Sequence, residues 1–191
     1  MELATMQPVQ HEGQTITIGG SEVAAVLGLS PFKDSSLWHT WARKFGKLPA
    51  KESTEAMFWG VQLEAPIAEV WAKKKGRAIF EVEKRHGDEE GLFLWASSSP
   101  DRMVQVDEFG DLEGLEVKTA NAFASSDWGP SGSGAAGVPV YYLTQCRWYM
   151  ALRNCERWHV AVLIGGNDYR QYTIERDRDE EAELLSRVGA I

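Results

Sequence analysis

Along the first 75 residues, apolar positions recur at helical spacing; from residue 77 onward the period falls to two. "EVAAVL" is preceded by Ser21 and followed by Gly28 and Pro31, which predicts a short helix with Ser21 as N-cap and Gly28 as its left-handed stop. Leu37, Trp38, Trp41 and Phe45 predict a second helix over 35–45. A longer one is expected over 54–75, with an apolar face through Phe58, Val61, Ile67, Ala68 and Trp71 and a kink or restart at Pro66. Then "RAIFEVEKR", "LFLWASSS" and "LEGLEVKTA" read as strands, with "RMVQV" continuing the second of them. The Gly/Ser-rich stretch 125–139 is long enough for a mobile loop. Helix "VYYLTQCRWYMALRN", buried strand "RWHVAVLIGG", edge strand "YRQYTIER" and amphipathic helix "RDEEAELLSRVGA" complete the pattern. Residues 1–17 are polar and expected to be loose. This order predicts one α/β domain over residues 1–191, with a mixed central sheet flanked by helices.

Composition narrows the classes. A hydrophobic fraction of 43% with eight Trp supplies a core, to which Trp38, Trp41, Trp59, Trp71 and Trp148 are assigned. Trp128 lies in the Gly/Ser-rich stretch and is a candidate to stack on DNA. A formal charge of −8 argues against nonspecific nucleic-acid binding through bulk charge, but not against a local basic groove or acids neutralised by cations. No segment approaches the roughly eighteen apolar residues of a membrane span, and the first residues lack the basic start and apolar run of a signal peptide. Cys146 and Cys155 are too few for a four-cysteine metal site, and His11, His39, His86 and His159 show no ligand spacing. A soluble cytoplasmic protein is expected.

The chemistry concentrates in "SSSPDRMVQVDEFGDLEGLEVKTA", residues 97–120. Strand alternation puts Glu116 and Lys118 on one face and Leu115 and Val117 on the other. If the flanking strands pair through a turn near "DEFGD", Asp101 lies beside Glu116. Two such carboxylates repel unless they share a proton or a cation. Mg²⁺ suits them, since it accepts one or two carboxylates and fills its shell with water and phosphate oxygens. Lys118 would then orient or deprotonate an attacking water, its pKa lowered by the neighbouring cation; the chemistry is phosphodiester hydrolysis. Alone, "PD" followed by acid-x-Lys arises by chance in roughly one chain in fifteen. Glu64 in "GVQLE", and Gln145 and Tyr149 four apart on one helix face, read singly as ordinary helix surface.

Their order along the chain is more telling: Gly-x-x-x-Glu, Pro-Asp, Glu-x-Lys, Gln-x-x-x-Tyr. It resembles the RecB-like branch of the PD-(D/E)XK nucleases. "IGGSEVAAVLGLSPF", "WGVQLEAPIAEVW", "ASSSPDRMV", "LEVKTA" and "YYLTQCRWYMAL" resemble, in order, the motifs of the YqaJ-like viral recombinases, relatives of the phage lambda exonuclease. The resemblance covers about residues 16–175. It implies a restriction-endonuclease-like core, and Glu64, Asp101, Glu116 and the Val117 carbonyl as ligands of Mg²⁺, with Mn²⁺ able to substitute. Lys118 becomes the catalytic lysine, Gln145 its support or a DNA contact, and Tyr149 a neighbour behind the site. Ser21 would face the 5′ phosphate. The arginine that relatives carry before the opening motif is missing, leaving Lys33 as a substitute. The implied function is 5′-to-3′ digestion of duplex DNA with free ends, in a phage or prophage setting. A single-strand annealing protein would be a partner, and trimers occur in the family. Rival readings are a nuclease of other polarity, an endonuclease, or a DNA-binding module without catalysis.

Overall fold

The computed structural model describes residues 3–106 and 111–191. After a 3₁₀ turn at Leu3–Thr5 come β1 (Val9–His11), β2 (Gln14–Ile16) and β3 (Ile18–Gly19), then α1 (Gly20–Val26), α2 (Leu37–Lys44) and α3 (Glu55–Lys75). Four short strands follow: β4 (Ile79–Phe80), β5 (Arg85–His86), β6 (Ala96–Ser98) and β7 (Arg102–Gln105). The long β8 (Leu112–Ala120) leads through 3₁₀ turns at Ala122–Asp127 and Gly134–Gly137 into α4 (Val140–Arg153), β9 (Arg157–Ile164), β10 (Asp168–Glu175) and α5 (Arg178–Gly189).

The central sheet runs β10-β9-β8-β7-β4. Only β8 and β9 pair in parallel there, because α4 returns the chain across the sheet between them; the other neighbours are antiparallel. Strand β8 therefore lies at the centre and is packed on both faces. Leu115 and Val117 join Val104 and Ala161 under the second half of α3, against Ile67, Ala68 and Trp71. The opposite face, with Met103, Trp158, Val160 and Val162, packs into the larger core built with α1, α4 and α5. The mixed α/β architecture with helices on both faces is as the pattern predicts. A smaller sheet, β3-β6-β5, flanks the large one.

Several local expectations are corrected. Residues 9–16, expected to be loose, form an antiparallel hairpin. Its turn, Glu12-Gly13, puts both residues at positive φ (47° and 77°), the geometry that matches strand twist in two-residue loops. The stretch "RMVQV" does not continue the strand before it: β6 and β7 belong to different sheets, and Pro100, which has no N–H to give a ladder, sits at the break. Pro66 leaves α3 one continuous helix of 21 residues. It lies on the exposed side together with Gln62, so the carbonyl it leaves unpaired faces water. Trp71 and Trp148 are core as expected, but Trp38, Trp41, Trp59 and Phe58 are each about half exposed, and Val61 is exposed further still. Helical spacing identified an apolar stripe without identifying what lies opposite it.

Candidate active site

Three segments converge on one end of the central sheet. The pairing of Arg102 with Leu115 sets Asp101 beside Glu116 at the next step of the register. Asp101 Oδ2 accepts the Val117 backbone N–H at 2.7 Å, which fixes that carboxylate against β8. The turn near "DEFGD" falls largely outside the described residues. Along β8, Glu116 and Lys118 share the face toward α4, as strand alternation requires. Lys118 Nζ donates to Glu116 Oε1 at 2.6 Å, and Gln145 Nε2 from α4 donates to the same oxygen at 2.6 Å. Gln145 also meets the Tyr149 hydroxyl at 3.3 Å, one turn further along α4. The Tyr149 ring packs on Trp158 and on the start of α1, where a Cβ on Gly20 would run into it. The opening motif is thereby tied to the site through Gly20, Tyr149, Gln145 and Glu116.

Glu64 comes from α3, four residues after Gly60. Gly60 packs where α3 crosses β8, with Thr119 Oγ1 3.4 Å from where its Cβ would stand, and Glu64 lies one turn further along the helix. Its carboxylate is nevertheless engaged elsewhere. Arg102 Nη1 donates to Glu64 Oε1 at 2.8 Å and to the Asp101 carbonyl, while Arg102 Nη2 lies 3.2 Å from Glu81. Among the described residues no three Asp, Glu, His or Cys side chains stand as a finished metal cluster.

Electrostatics mark the site as short of positive charge. Burial pushes the Glu116 carboxyl up to about 8; Lys118 opposes this and the Asp101 and Glu64 carboxylates reinforce it. Burial likewise raises Asp101, against Lys118 and the Val117 N–H. Glu116 Oε2 is buried and meets no hydrogen-bond partner among the described residues. An orphaned carboxylate oxygen beside a second acid fits a divalent cation: Asp101, Glu116 and the Val117 carbonyl would hold it, joined by Glu64 once Arg102 gives it up. Burial acts to lower Lys118, but the attraction of Glu116 and Asp101 outweighs it, and its pKa is raised. In the metal-free site Lys118 therefore stands as an ammonium, because its nearest charges are carboxylates; the lowered pKa and base role expected of it belong to the site with a cation bound.

The proposed nucleic-acid contacts divide. Trp128 is 3% exposed, stacked between Tyr142 and Tyr172 with centroids 5.5 and 5.7 Å away, so it offers no face to DNA. The segment around it is held down: Arg170 donates to the carbonyls of Ser125, Trp128 and Gly129, and the Tyr172 hydroxyl donates to Gly129. Those partners come from β10, some forty residues on, out of reach of any local pattern. Gln145 and Tyr149 are buried as well and support Glu116 rather than reach DNA. Ser21 is exposed in the first turn of α1; the N-cap is Gly19, whose N–H is taken by Glu22 at 2.8 Å, so the hydroxyl is not a cap. Lys33 is exposed on the α1–α2 connection, whereas Lys44 is the lysine drawn to the opening motif, 2.8 Å from Glu22. Sequence reasoning missed Arg102 and Tyr142. The first directly follows Asp101; the second lies one turn before Gln145, its ring 5.0 Å from Lys118 Nζ. Helical spacing could have found Tyr142.

Known proteins resemble the chain in sequence and in fold. Residues 9–156 match the YqaJ-like viral recombinase domain. The chain is 30% identical over 171 residues to the protein YqaJ of Bacillus subtilis strain 168, covering 88% of this chain but 49% of that protein; it spans about half the length of that relative. The fold is shared with an alkaline exonuclease from Laribacter hongkongensis (TM-score 0.69, 20% identity, 91% of this chain and 84% of that one). A phage-related exonuclease from Haemophilus somnus 129PT is also similar (TM-score 0.66, 12% identity, 92% and 91%).

Proposed function

Because the chain belongs to the YqaJ-like viral recombinase family, we propose that it is a metal-dependent nuclease that digests linear duplex DNA from its ends, 5′ to 3′, during phage-type recombination. The observation that carries this reading is the buried, half-satisfied Glu116 beside Asp101, Lys118 and Gln145. The exonuclease fold of the solved relatives supports it. Residues 1–191 are read as one nuclease domain acting in the bacterial cytoplasm. An annealing protein to receive the 3′ strand and a trimeric ring remain parts of the proposal that rest on family resemblance. No helix among the described residues is long and apolar enough to cross a membrane.

A divalent cation, Mg²⁺ by preference with Mn²⁺ able to replace it, would supply a Lewis acid and a water of lowered pKa. The protein's own groups do the rest. Val117 N–H orients Asp101, and Gln145 and Lys118 hold Glu116 by one oxygen, leaving the other as the one that would meet a cation. Lys118 orients the attacking water through hydrogen bonding and stabilises charge that develops on the phosphate. Ser21 gives the 5′ phosphate a neutral hydrogen bond, worth roughly 0.5–1.5 kcal/mol. A preference for 5′-phosphorylated ends of about three- to tenfold follows, and Ser21→Ala reduces it.

Incubation of linear and covalently closed circular duplex with Mg²⁺, side by side with EDTA controls, tests the reading. Loss of the linear DNA only, abolished by EDTA, is expected. Cleavage of the closed circle would make the protein an endonuclease, and survival of both would leave a DNA-binding module.

A further inference from the structure

Arg102 begins β7 directly after Asp101, and its side chain is only 12% exposed. The guanidinium bridges two helix- and loop-borne acids: Glu64 at 2.8 Å, itself partly buried, and Glu81 at 3.2 Å, which is 80% exposed. Its Nη1 also donates to the Asp101 carbonyl. The consequence is geometric. Glu64 lies close enough to Asp101 and Glu116 to repel both, yet its carboxylate is turned to Arg102, and no three-carboxylate cluster is formed among the described residues. A cation belonging to the chain occupies the attention of one of the acids that an external cation would need.

We propose that Arg102 is a positioning residue that latches Glu64 away from Asp101 and Glu116, and that a phosphate of bound DNA releases the latch, so that DNA binding and metal binding favour one another through this side chain. This deepens the metal-dependent nuclease reading and rests on it. The exchange is chemically even-handed. A guanidinium fork matches a phosphate as well as it matches a carboxylate, and forms two parallel charge-assisted bonds with either. Glu81, exposed and on the far side of the fork, keeps Arg102 at its post while Nη1 changes partner. Glu64, once freed, is repelled by nothing that a cation between the acids would not neutralise. The metal then completes its ligand set only where there is DNA to cut. By linkage, whatever factor DNA adds to metal affinity, metal adds to DNA affinity.

The test measures Mn²⁺ affinity by the electron paramagnetic resonance of the free ion, on the full chain carrying Lys118→Ala so that DNA is not consumed. Each protein is titrated with and without a short linear duplex. Arg102→Lys keeps the positive charge and loses the fork, so it separates a latch from a simple charge effect. Without DNA, Arg102→Lys and Arg102→Gln should both bind Mn²⁺ about tenfold more tightly than the Arg102 parent. The gain that DNA produces in the parent should shrink at least fivefold in both. If Arg102→Lys behaves as the parent does in both respects, the latch is overturned, whatever Arg102→Gln does. Glu116→Gln in the same background guards the underlying reading. If it leaves Mn²⁺ affinity unchanged, the metal site itself is misplaced; if it abolishes binding while Arg102→Lys matches the parent, the latch alone fails.

Discussion

Strand β8 carries two buried glutamates three residues apart, and they are treated in opposite ways. Glu113, 4% exposed, is surrounded: His159 Nε2 lies at 2.9 Å, Arg157 at 3.4 Å and Arg77 at 3.7 Å. Burial lowers the His159 pKa, so the imidazole is neutral at pH 7, gives its Nε2 proton to Glu113 and accepts from Thr173 at Nδ1. Glu116, 1% exposed, shares one oxygen between Lys118 and Gln145 and has the other unpaired. Both side chains are buried, but only Glu113 has its charge answered on both oxygens. A buried acid whose partners are complete locks strands together. One whose partners fall short is waiting for a ligand.

The contrast breaks most sharply under the same substitution at the two positions. Glu116→Gln should lower the initial rate of duplex digestion by a thousandfold or more, with little change in melting temperature. Lys118→Ala should do the same, and the double variant should be no worse than either, because the groups act as a unit. Activity of either single variant within about tenfold of the parent, only ~1.4 kcal/mol of barrier, would end the assignment. Glu113→Gln should do the reverse. It should cost about 1–3 kcal/mol of stability in urea titration, as expected when buried partners lose their acceptor, and leave the rate within about threefold.

A pH series sharpens the same comparison. With a pKa near 8 in the folded chain and an ordinary carboxyl value when unfolded, Glu116 keeps a proton on folding that the unfolded chain has released between about pH 4.5 and 8. Metal-free stability should therefore fall as pH rises through that window. Asp101, also raised, adds to the slope in the same sense, and Lys118 stays charged throughout. Glu116→Gln should flatten the curve, as should saturating Mg²⁺, which favours the ionised form; an unchanged slope would contradict the electrostatic account. The smallest effect belongs to Tyr149→Phe. It removes a 3.3 Å contact from Gln145 but leaves the 2.6 Å bond to Glu116, so the rate should drop less than tenfold.

How much of this the sequence disclosed depends on the range of the interaction. Alternation along "LEVKT" placed Glu116 and Lys118 together correctly, and hairpin pairing brought Asp101 to them, because both follow from strand geometry. The body of α4, with Gln145 and Tyr149 on one side, was equally legible. What escaped was set by distant partners. Trp128 looked mobile among glycines and serines, yet β10 buries it through Arg170 and Tyr172. Trp38, Trp41 and Trp59 looked like core, yet each stays about half exposed. Glu64 was recognised as an acid of the site, but its capture by Arg102, 38 residues away in sequence, has no local signature.

The site also draws its groups from segments well separated along the chain. Its defining contacts join residues 16, 29 and 38 positions apart, drawn from α3, the β7–β8 pair and α4. Closing such loops costs entropy that only the finished sheet repays. On a ribosome, therefore, a nascent chain holding Glu64, Asp101, Glu116 and Lys118 still lacks the Gln145 brace, and Glu116 lacks the packed surroundings that shift its acidity. The order of synthesis therefore leaves the proposed nuclease site without its Gln145 brace until α4 has been made.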